Sequence, residues 1–198
     1  DELAVVNSSQ FMVCPYCGFS EVSSDFSKQK IKTHNAPNGR KCLNETFTRK
    51  SIGHTFKTDV TTLSVNNYLS WEQAYSILYA MLEGLSKAFS IERNDVDGTI
   101  DYIYSRTGNS STRFILFDTV PGGAGHVRRL GKATEEEILD VFKVSYDLVK
   151  NCHCDENTAC YSCLQNYRNQ GMHDSLERKF AVDFFDRVFY DYEKICSI

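Results

Sequence analysis

The sequence predicts a mixed α/β or α+β fold, a central sheet carrying about four helices with cysteine-rich modules at its edges. Three observations point there. Strand-like and helix-like stretches interleave, two helical stretches open on a capping box, and the eight cysteines fall into groups of three, four and one. Residues 11–50 are polar and loop-rich, so they cannot bury much of a core unaided and need a staple. The expected division is a basic, ribbon-like module over residues 1–50 and an α/β domain over residues 51–198.

From Ser51 the texture changes. Ile52, His54, Phe56, Thr58 and Val60 share one parity, predicting a long strand to about Val65. Ser70-Trp71-Glu72-Gln73 has the form of a capping box. Behind it Trp71, Ala74, Tyr75, Leu78, Met81, Leu82, Leu85, Ala88 and Phe89 recur at helical spacing. Thr99–Ser105 reads as a second strand, and Arg113–Asp118, with four consecutive apolar residues, as an interior one. Pro121-Gly122-Gly123-Ala124-Gly125 turns the chain into a short helix through Leu130. Thr134-Glu135-Glu136-Glu137 is a second capping box, its acids suited to the positive end of a helix. A last helix, capped near Asp174, carries Phe180, Phe184, Val188 and Tyr192, with Ala181, Phe185 and Phe189 widening the face.

Of the 198 residues 41% are hydrophobic and 24% charged, which fits a globular chain and excludes a disordered one. No apolar run approaches the roughly 20 residues that span a bilayer, and no signal-peptide core is present. The opening Asp-Glu-Leu, without methionine, is expected of a piece of a longer protein. A net charge of −4 conceals a basic stretch from Lys28 to Lys57, in which Glu45 is the one acid. That distribution excludes an all-over basic nucleic-acid binder but permits phosphate contact on one face, through Lys28, Lys30, Lys32, Arg40 and Lys41, with Arg128 and Arg129 as further nucleic-acid-binding candidates.

Clustered thiols without an export signal indicate a reducing, cytoplasmic setting and metal ligation before disulfides. Cys152-x-Cys154 and Cys160-x2-Cys163, five residues apart, supply four soft ligands for a tetrahedral Zn²⁺. Two disulfides or four unconnected thiols are the alternative, and His153 is a rival ligand inside the first pair. Four thiolates close the coordination sphere, making the site structural. Cys14-Pro15-Tyr16-Cys17-Gly18 is a zinc-knuckle turn. His34 and Cys42 complete a second site of three cysteines and one histidine, with His54 the rival for His34; a half-formed knuckle without metal is the bland alternative. Cys196 is unassigned. The loaded four-thiolate and three-thiolate sites carry −2 and −1, so the metallated protein is more acidic than −4.

Asp118, at the end of an interior strand, precedes Gly122, Gly123 and Gly125 with His126, Arg128 and Arg129 nearby. Such turns place ligands in α/β proteins, and backbone amides here can meet an anion. The plainer reading is that Asp118 caps the helix. No Walker A or GxGxxG pattern is present. Glu83, within an apolar helical stretch, is a candidate buried acid. Asp95 and Asp97 read as turn acids, and Arg168 and His173 as surface or capping residues.

Leu116-Phe117-Asp118-Thr119-Val120-Pro121-Gly122-Gly123-Ala124-Gly125, the cysteines from Cys152 to Cys163, and the segment from Asp174 to Arg187 together resemble the MrfA-type zinc-binding domain. This family stands at the C-termini of superfamily 2 DNA helicases. The resemblance covers about residues 70–192 and implies that Cys152, Cys154, Cys160 and Cys163 ligate zinc. Phe117 stands where members often have tyrosine, and Thr119 replaces the second acid of the family turn. Gly53-His54-Thr55-Phe56-Lys57-Thr58-Asp59-Val60 behind the knuckle looks more like the branch represented by DrmB of the DISARM antiphage system.

The leading expectation is a zinc-stabilised, non-catalytic accessory module of a DNA helicase or antiphage defence complex. Its partners would be DNA and a helicase motor, in cis or in trans, with no membrane and no small-molecule substrate. The ATPase would lie elsewhere in the parent chain or in a partner. A hydrolase or nuclease using Asp118, His126 and Glu83, and a purely protein-binding scaffold, are the competing classes.

Overall fold

Thr58 and Asp59 interrupt what residue parity predicts to be one long strand. Thr58 is buried and its hydroxyl donates to the Asp118 carbonyl at 2.7 Å, while the Asp59 carboxylate accepts from the Arg128 guanidinium. Two strands therefore replace one: β7 is Gly53–Lys57 and β8 is Val60–Val65. The computed structural model describes residues 1–6, 9–25, 33–104 and 110–196. It divides close to this break into two units, Glu2–Phe56 and the chain from Lys57 onward.

Glu2–Phe56 is built of short ladders. Strand β2 (Phe11–Val13) lies between β3 (Ser20–Val22) and β6 (Thr48–Lys50), both antiparallel to it. Strands β4 (His34–Asn35) and β5 (Lys41–Cys42) form a hairpin, and β1 (Glu2–Val6) pairs with β7. Among the described residues of this unit, the only buried side chains are Cys14, His34 and Cys42.

The second unit has a conventional core. An antiparallel sheet runs β8–β10–β9, with β9 at Val96–Tyr104 and β10 at Ser110–Asp118 in the middle. Burial alternates along β10: Thr112, Phe114, Leu116 and Asp118 point inward. Helix α1 (Trp71–Ala88) packs against the sheet and two further helices, so eleven of its residues are buried and little of it is wet. Full burial of side chains such as Leu78 and Leu82 contributes about 1.5–3 kcal/mol each. Trp71, predicted on the apolar face, is instead exposed in the first turn and rests on Tyr75.

Both capping boxes form. Ser70 Oγ accepts from the Gln73 amide while Gln73 Oε1 accepts from the Ser70 amide. Thr134 and Glu137 repeat the exchange at helix α3 (Glu135–Lys150). Between them helix α2 spans His126–Gly131. The last helix, α4, spans Arg178–Cys196 and starts later than Asp174 predicts. Asp174 lies in a 3-10 turn over Gln170–Ser175, and the amides of Arg178 and Lys179 donate to the carbonyls of Thr158 and Glu156. The cysteine loop, rather than an acidic cap, receives the start of α4. Its buried stripe is Ala181 and Phe185, the face predicted only to widen the Phe180 row.

Helices α1 and α3 cross at Gly84, where an added Cβ would collide with Ser145 Oγ and lie 2.8 Å from the Ser145 amide nitrogen. A clash with backbone cannot be relieved by a rotamer change. Gly84→Ala is expected to lower the unfolding free energy by about 1–3 kcal/mol, read as a shifted urea midpoint of the metal-loaded chain.

Candidate metal centres

The first centre grows from two turns. Cys14 follows β2, and the chain reverses so that the Gly18 amide donates to the Cys14 carbonyl and the Cys14 amide to that of Phe19. Gly18 takes φ +79°, a left-handed conformation that disfavours any side chain. Across the unit, His34 and Cys42 are directly opposed on the β4–β5 ladder, so the pleat puts both on one face. Cys14, Cys17, His34 and Cys42 thereby bring one ligand atom each within 4.8 Å of all the others. Cys14 and Cys42 sulfurs are 4.0 Å apart, and Cys17 Sγ is 3.3 Å from His34 Nε2. A tetrahedral zinc with Zn–S near 2.3 Å and Zn–N near 2.05 Å has edges of roughly 3.8 and 3.6 Å. The spacing fits.

Donors aimed at sulfur prepare this site for thiolate. Burial pushes the Cys14 thiol up, but the Cys17 amide, the Asn44 side-chain amide (3.2 Å) and the Tyr16 amide outweigh it and bring it down to about 6. Cys17 moves the other way, raised by burial and by the neighbouring Cys14 and Cys42 sulfurs. The His34 ring is wedged between Phe19 and Phe47, with centroids 5.0 and 5.1 Å away. Its Nδ1 has no hydrogen-bond partner among the described residues, so packing sets the ring's orientation where a carbonyl or carboxylate usually does. His54, the rival ligand, is exposed on β7 beside Phe56 and outside the cluster.

The second centre joins the end of α3 to the start of α4. Cys152 Sγ is 3.5 Å from both Cys154 and Cys160 sulfurs, and Cys163 Sγ is 3.8 Å from those of Cys154 and Cys160. These spacings fit the edges of a ZnS4 tetrahedron, not bonded sulfurs, and all seven cysteines whose side chains are described are free. Burial pushes Cys163 and Cys154 up. Burial also acts on Cys160, but the Ser162 amide and the surrounding thiols lower it to about 7. The Cys160 amide donates to Cys163 Sγ at 3.2 Å. Arg178 is a residue that sequence reasoning passed over. Its guanidinium donates to the carbonyls of Val149 and Cys154, both at 3.0 Å, tying the last turn of α3 to the loop. Asn44 was passed over too, although an amide two residues beyond Cys42 is a weak signal for a sulfur donor. His153 is exposed and outside the cluster.

With three or four thiolates as ligands, both centres suit Zn²⁺ better than an oxygen-seeking cation. Four thiolates, or three and an imidazole, leave no open coordination position on a tetrahedral ion. Among the described residues these two clusters are the groups of His, Cys, Asp and Glu able to hold an ion, and none forms at the Asp118 turn.

That turn has a different role. Asp118 continues the inward parity of β10 and is fully buried. Its Oδ2 accepts from the amides of Ala124 (2.7 Å), Gly125 (2.7 Å) and His126 (3.2 Å), and its Oδ1 from Val127 (3.0 Å). Gly122, Gly123 and Gly125 all have positive φ, and a Cβ on Gly123 would lie 2.5 Å from Asp59 Oδ2. The anion these amides meet is the protein's own carboxylate. The other acid/base candidates are engaged elsewhere: His126 lies 3.8 Å from Asp95, and Glu83 pairs with Arg93 at 3.0 Å. Arg128 pairs with Asp59, and Arg129 lies 4.0 Å over the Phe89 ring. Arg40 and Lys41 are exposed on the first unit; Lys28, Lys30 and Lys32 lie outside the described residues, as does the Cys196 side chain.

A three-stranded sheet with helices, joined to two closed thiolate-rich clusters, defines a metal-binding domain of mixed α/β class. Residues 77–164, from α1 through the fourth cysteine of the second centre, match the family model of the MrfA Zn-binding domain. A curated relative, Druantia protein DruE of Escherichia coli (strain UMEA 4076-1), is 26% identical over 96% of this chain, which spans 11% of that protein's length. The relationship therefore runs to a Druantia component, correcting the likeness to DISARM DrmB expected of the N-terminal part. Two crystal structures of the DUF1998 helicase MrfA are also similar. The one bound to DNA has a TM-score of 0.41 and 19% identity over 76% of this chain; the one bound to DNA and AMPPNP has 0.45 and 20% over 74%. In each case the match takes in 18% of the MrfA chain.

Two outcomes are expected. Asp118→Asn places an NH2 group among amide donors and should destabilise the protein by about 2–3 kcal/mol with its metal content intact, as thermal unfolding and metal analysis will show. Because the Ser162 amide and the neighbouring thiols bring Cys160 down to about 7, zinc binding at the second centre should release fewer protons than that centre has thiols. Calorimetry in buffers of different ionisation enthalpy measures that number.

Proposed function

We propose that this chain is a zinc-stabilised, non-catalytic accessory module of a DNA helicase or defence complex, contacting DNA, the motor protein, or both. The observation that carries the reading is the pair of clusters, each with four ligand atoms within 4.8 Å and donors directed at sulfur. The family match over residues 77–164 supports zinc and an association with helicases. That the chain spans 11% of its Druantia relative supports a part of a larger machine. The engagement of Asp118 with four backbone amides argues against catalysis at that turn. No helix among the described residues is long and apolar enough to cross a membrane.

Zinc here would hold shape and do no chemistry. Cys152, Cys154, Cys160 and Cys163 would lock the junction of α3 and α4; Cys14, Cys17, His34 and Cys42 would lock the knuckle against the β4–β5 hairpin. DNA contact would come from exposed cations of the first unit, through phosphates and with little sequence preference.

Metal analysis of the purified chain should find two zinc ions per molecule. The double variant Cys160→Ser/Cys163→Ser should retain one and lose the cooperative unfolding of the larger unit, since structural zinc contributes folding free energy directly. A fully folded, metal-free double variant would remove the structural role. Affinity for DNA should fall steeply with salt, and neutralising Lys28, Lys30 and Lys32 should flatten the slope by roughly 0.7–0.9 for each phosphate they had neutralised. Salt-independent binding, or none, would leave the protein-facing role alone.

A further inference from the structure

The first unit exposes what a folded protein ordinarily hides. Tyr16, at the tip of the knuckle, is 86% exposed, and Leu43, just past β5, is 79% exposed. Neither has a packing duty. Both line an open cup of 880 Å³ whose wall also carries Pro37, Asn38, Arg40 and Lys41. The cup is bounded by two stiff turns. One is the Cys14–Gly18 knuckle, held by its own amide bonds. The other joins β4 to β5, where the Ala36 amide donates to the Arg40 carbonyl, the Gly39 amide to that of Ala36, and the Arg40 amide to Asn38 Oδ1. The candidate ligands Cys17 and Cys42 also line it, so a metal would fix both turns at once. Arg40 and Lys41 are exposed and make no ion pair among the described residues.

An aromatic face, apolar neighbours and two unpaired cations around one concavity match the needs of an unpaired nucleotide. The base stacks on the ring, and the flanking phosphates meet the cations. A duplex offers the phosphates but hides its base faces, and an acidic peptide would use the cations but leave the ring idle. We propose that this cup binds single-stranded DNA, with one base stacked on Tyr16 and adjacent phosphates on Arg40 and Lys41. The inference rests on the reading of the chain as a DNA-contacting module and names the form of DNA.

The test is fluorescence anisotropy of the zinc-loaded chain with a labelled 15-nucleotide oligo-dT and with a 15-base-pair duplex, each over a series of salt concentrations. The single strand should bind more tightly than the duplex. Tyr16→Ala should weaken single-strand binding roughly 5- to 150-fold, the range of one base stacked on an aromatic ring, with the salt slope unchanged. Tyr16→Phe keeps the stacking face and should bind as the wild type does. Arg40→Gln and Lys41→Gln should each reduce the slope by about 0.7. Zinc content and circular dichroism of each variant separate a folding defect from a weakened DNA interaction, and Tyr16→Phe provides the comparison if Tyr16→Ala is impaired. Salt-dependent binding that is indifferent to Tyr16→Ala, or equal for strand and duplex, would overturn the cup and leave the DNA-contacting reading in place. No binding to either DNA would overturn both.

Discussion

Among the described residues, the unit from Glu2 to Phe56 buries nothing but candidate ligands. Cys14, His34 and Cys42 are its buried side chains among the described residues, and all three offer an atom to the same point in space. Ordering each residue costs about 1–2 kcal/mol of backbone entropy, and ladders of two and three residues bury too little apolar surface to offset it. Crowded sulfurs make the deficit worse unless a cation sits between them. Binding metal and folding would therefore be one event in this unit, with the rest of its architecture following from that coupling.

The larger unit distributes the burden differently. Its sheet and helix α1 supply an ordinary apolar core, and the second cluster acts at one joint, where α3 hands over to α4. Arg178 spans that joint from the carbonyl of Val149 to that of Cys154, while Thr158 and Glu156 receive the first amides of α4. Leu164 and Leu176, on either side of the loop that follows, are buried in the core. Losing the sulfur geometry would release a helix end, a half-buried guanidinium and two core leucines together. Elsewhere in this unit, the Asp118 carboxylate performs the same kind of work with hydrogen bonds alone, drawing four amides of the glycine turn around the end of β10.

Local chemistry was readable in advance, and distant partners were not. The boxes at Ser70 and Thr134 involve groups three residues apart, so their residues suffice to specify them. The Cys-x-Cys and Cys-x2-Cys pairs are equally local. The preference for His34 over His54 rests on His54 falling in a predicted strand; the two-residue ladder that sets His34 opposite Cys42 is itself too short to see by periodicity. The break at Thr58 depends on Asp118, sixty positions away, and the late start of α4 depends on carbonyls of the cysteine loop. For Asp118 the alternation of β10 held the clue: a carboxylate on the inward parity of a strand must be satisfied by donors, and the glycines that follow supply them.

A metal core also has a consequence for the surface. In a small domain stabilised by apolar burial, aromatic rings are needed inside, and one left outside lowers stability. When coordination holds the fold, that demand weakens. Phe19 and Phe47 are used to clamp the His34 ring, but Tyr16 and Leu43 can stand in water at the rim of the site without depriving a core. With metal bound, the backbone under Tyr16 would be held by ligands on both sides, at Cys14 and Cys17, and that under Leu43 by Cys42 next to it. Rigid presentation of a flat, solvated face reduces the ordering cost on binding. Two cations with no ion pair among the described residues, Arg40 and Lys41, sit beside that face, whereas Arg128 and Arg129 of the larger unit are engaged with Asp59 and Phe89. Stability and recognition would thus draw on different residues within one small unit: metal-bound sulfur and imidazole would hold it, and the groups freed from that task would face the proposed single strand.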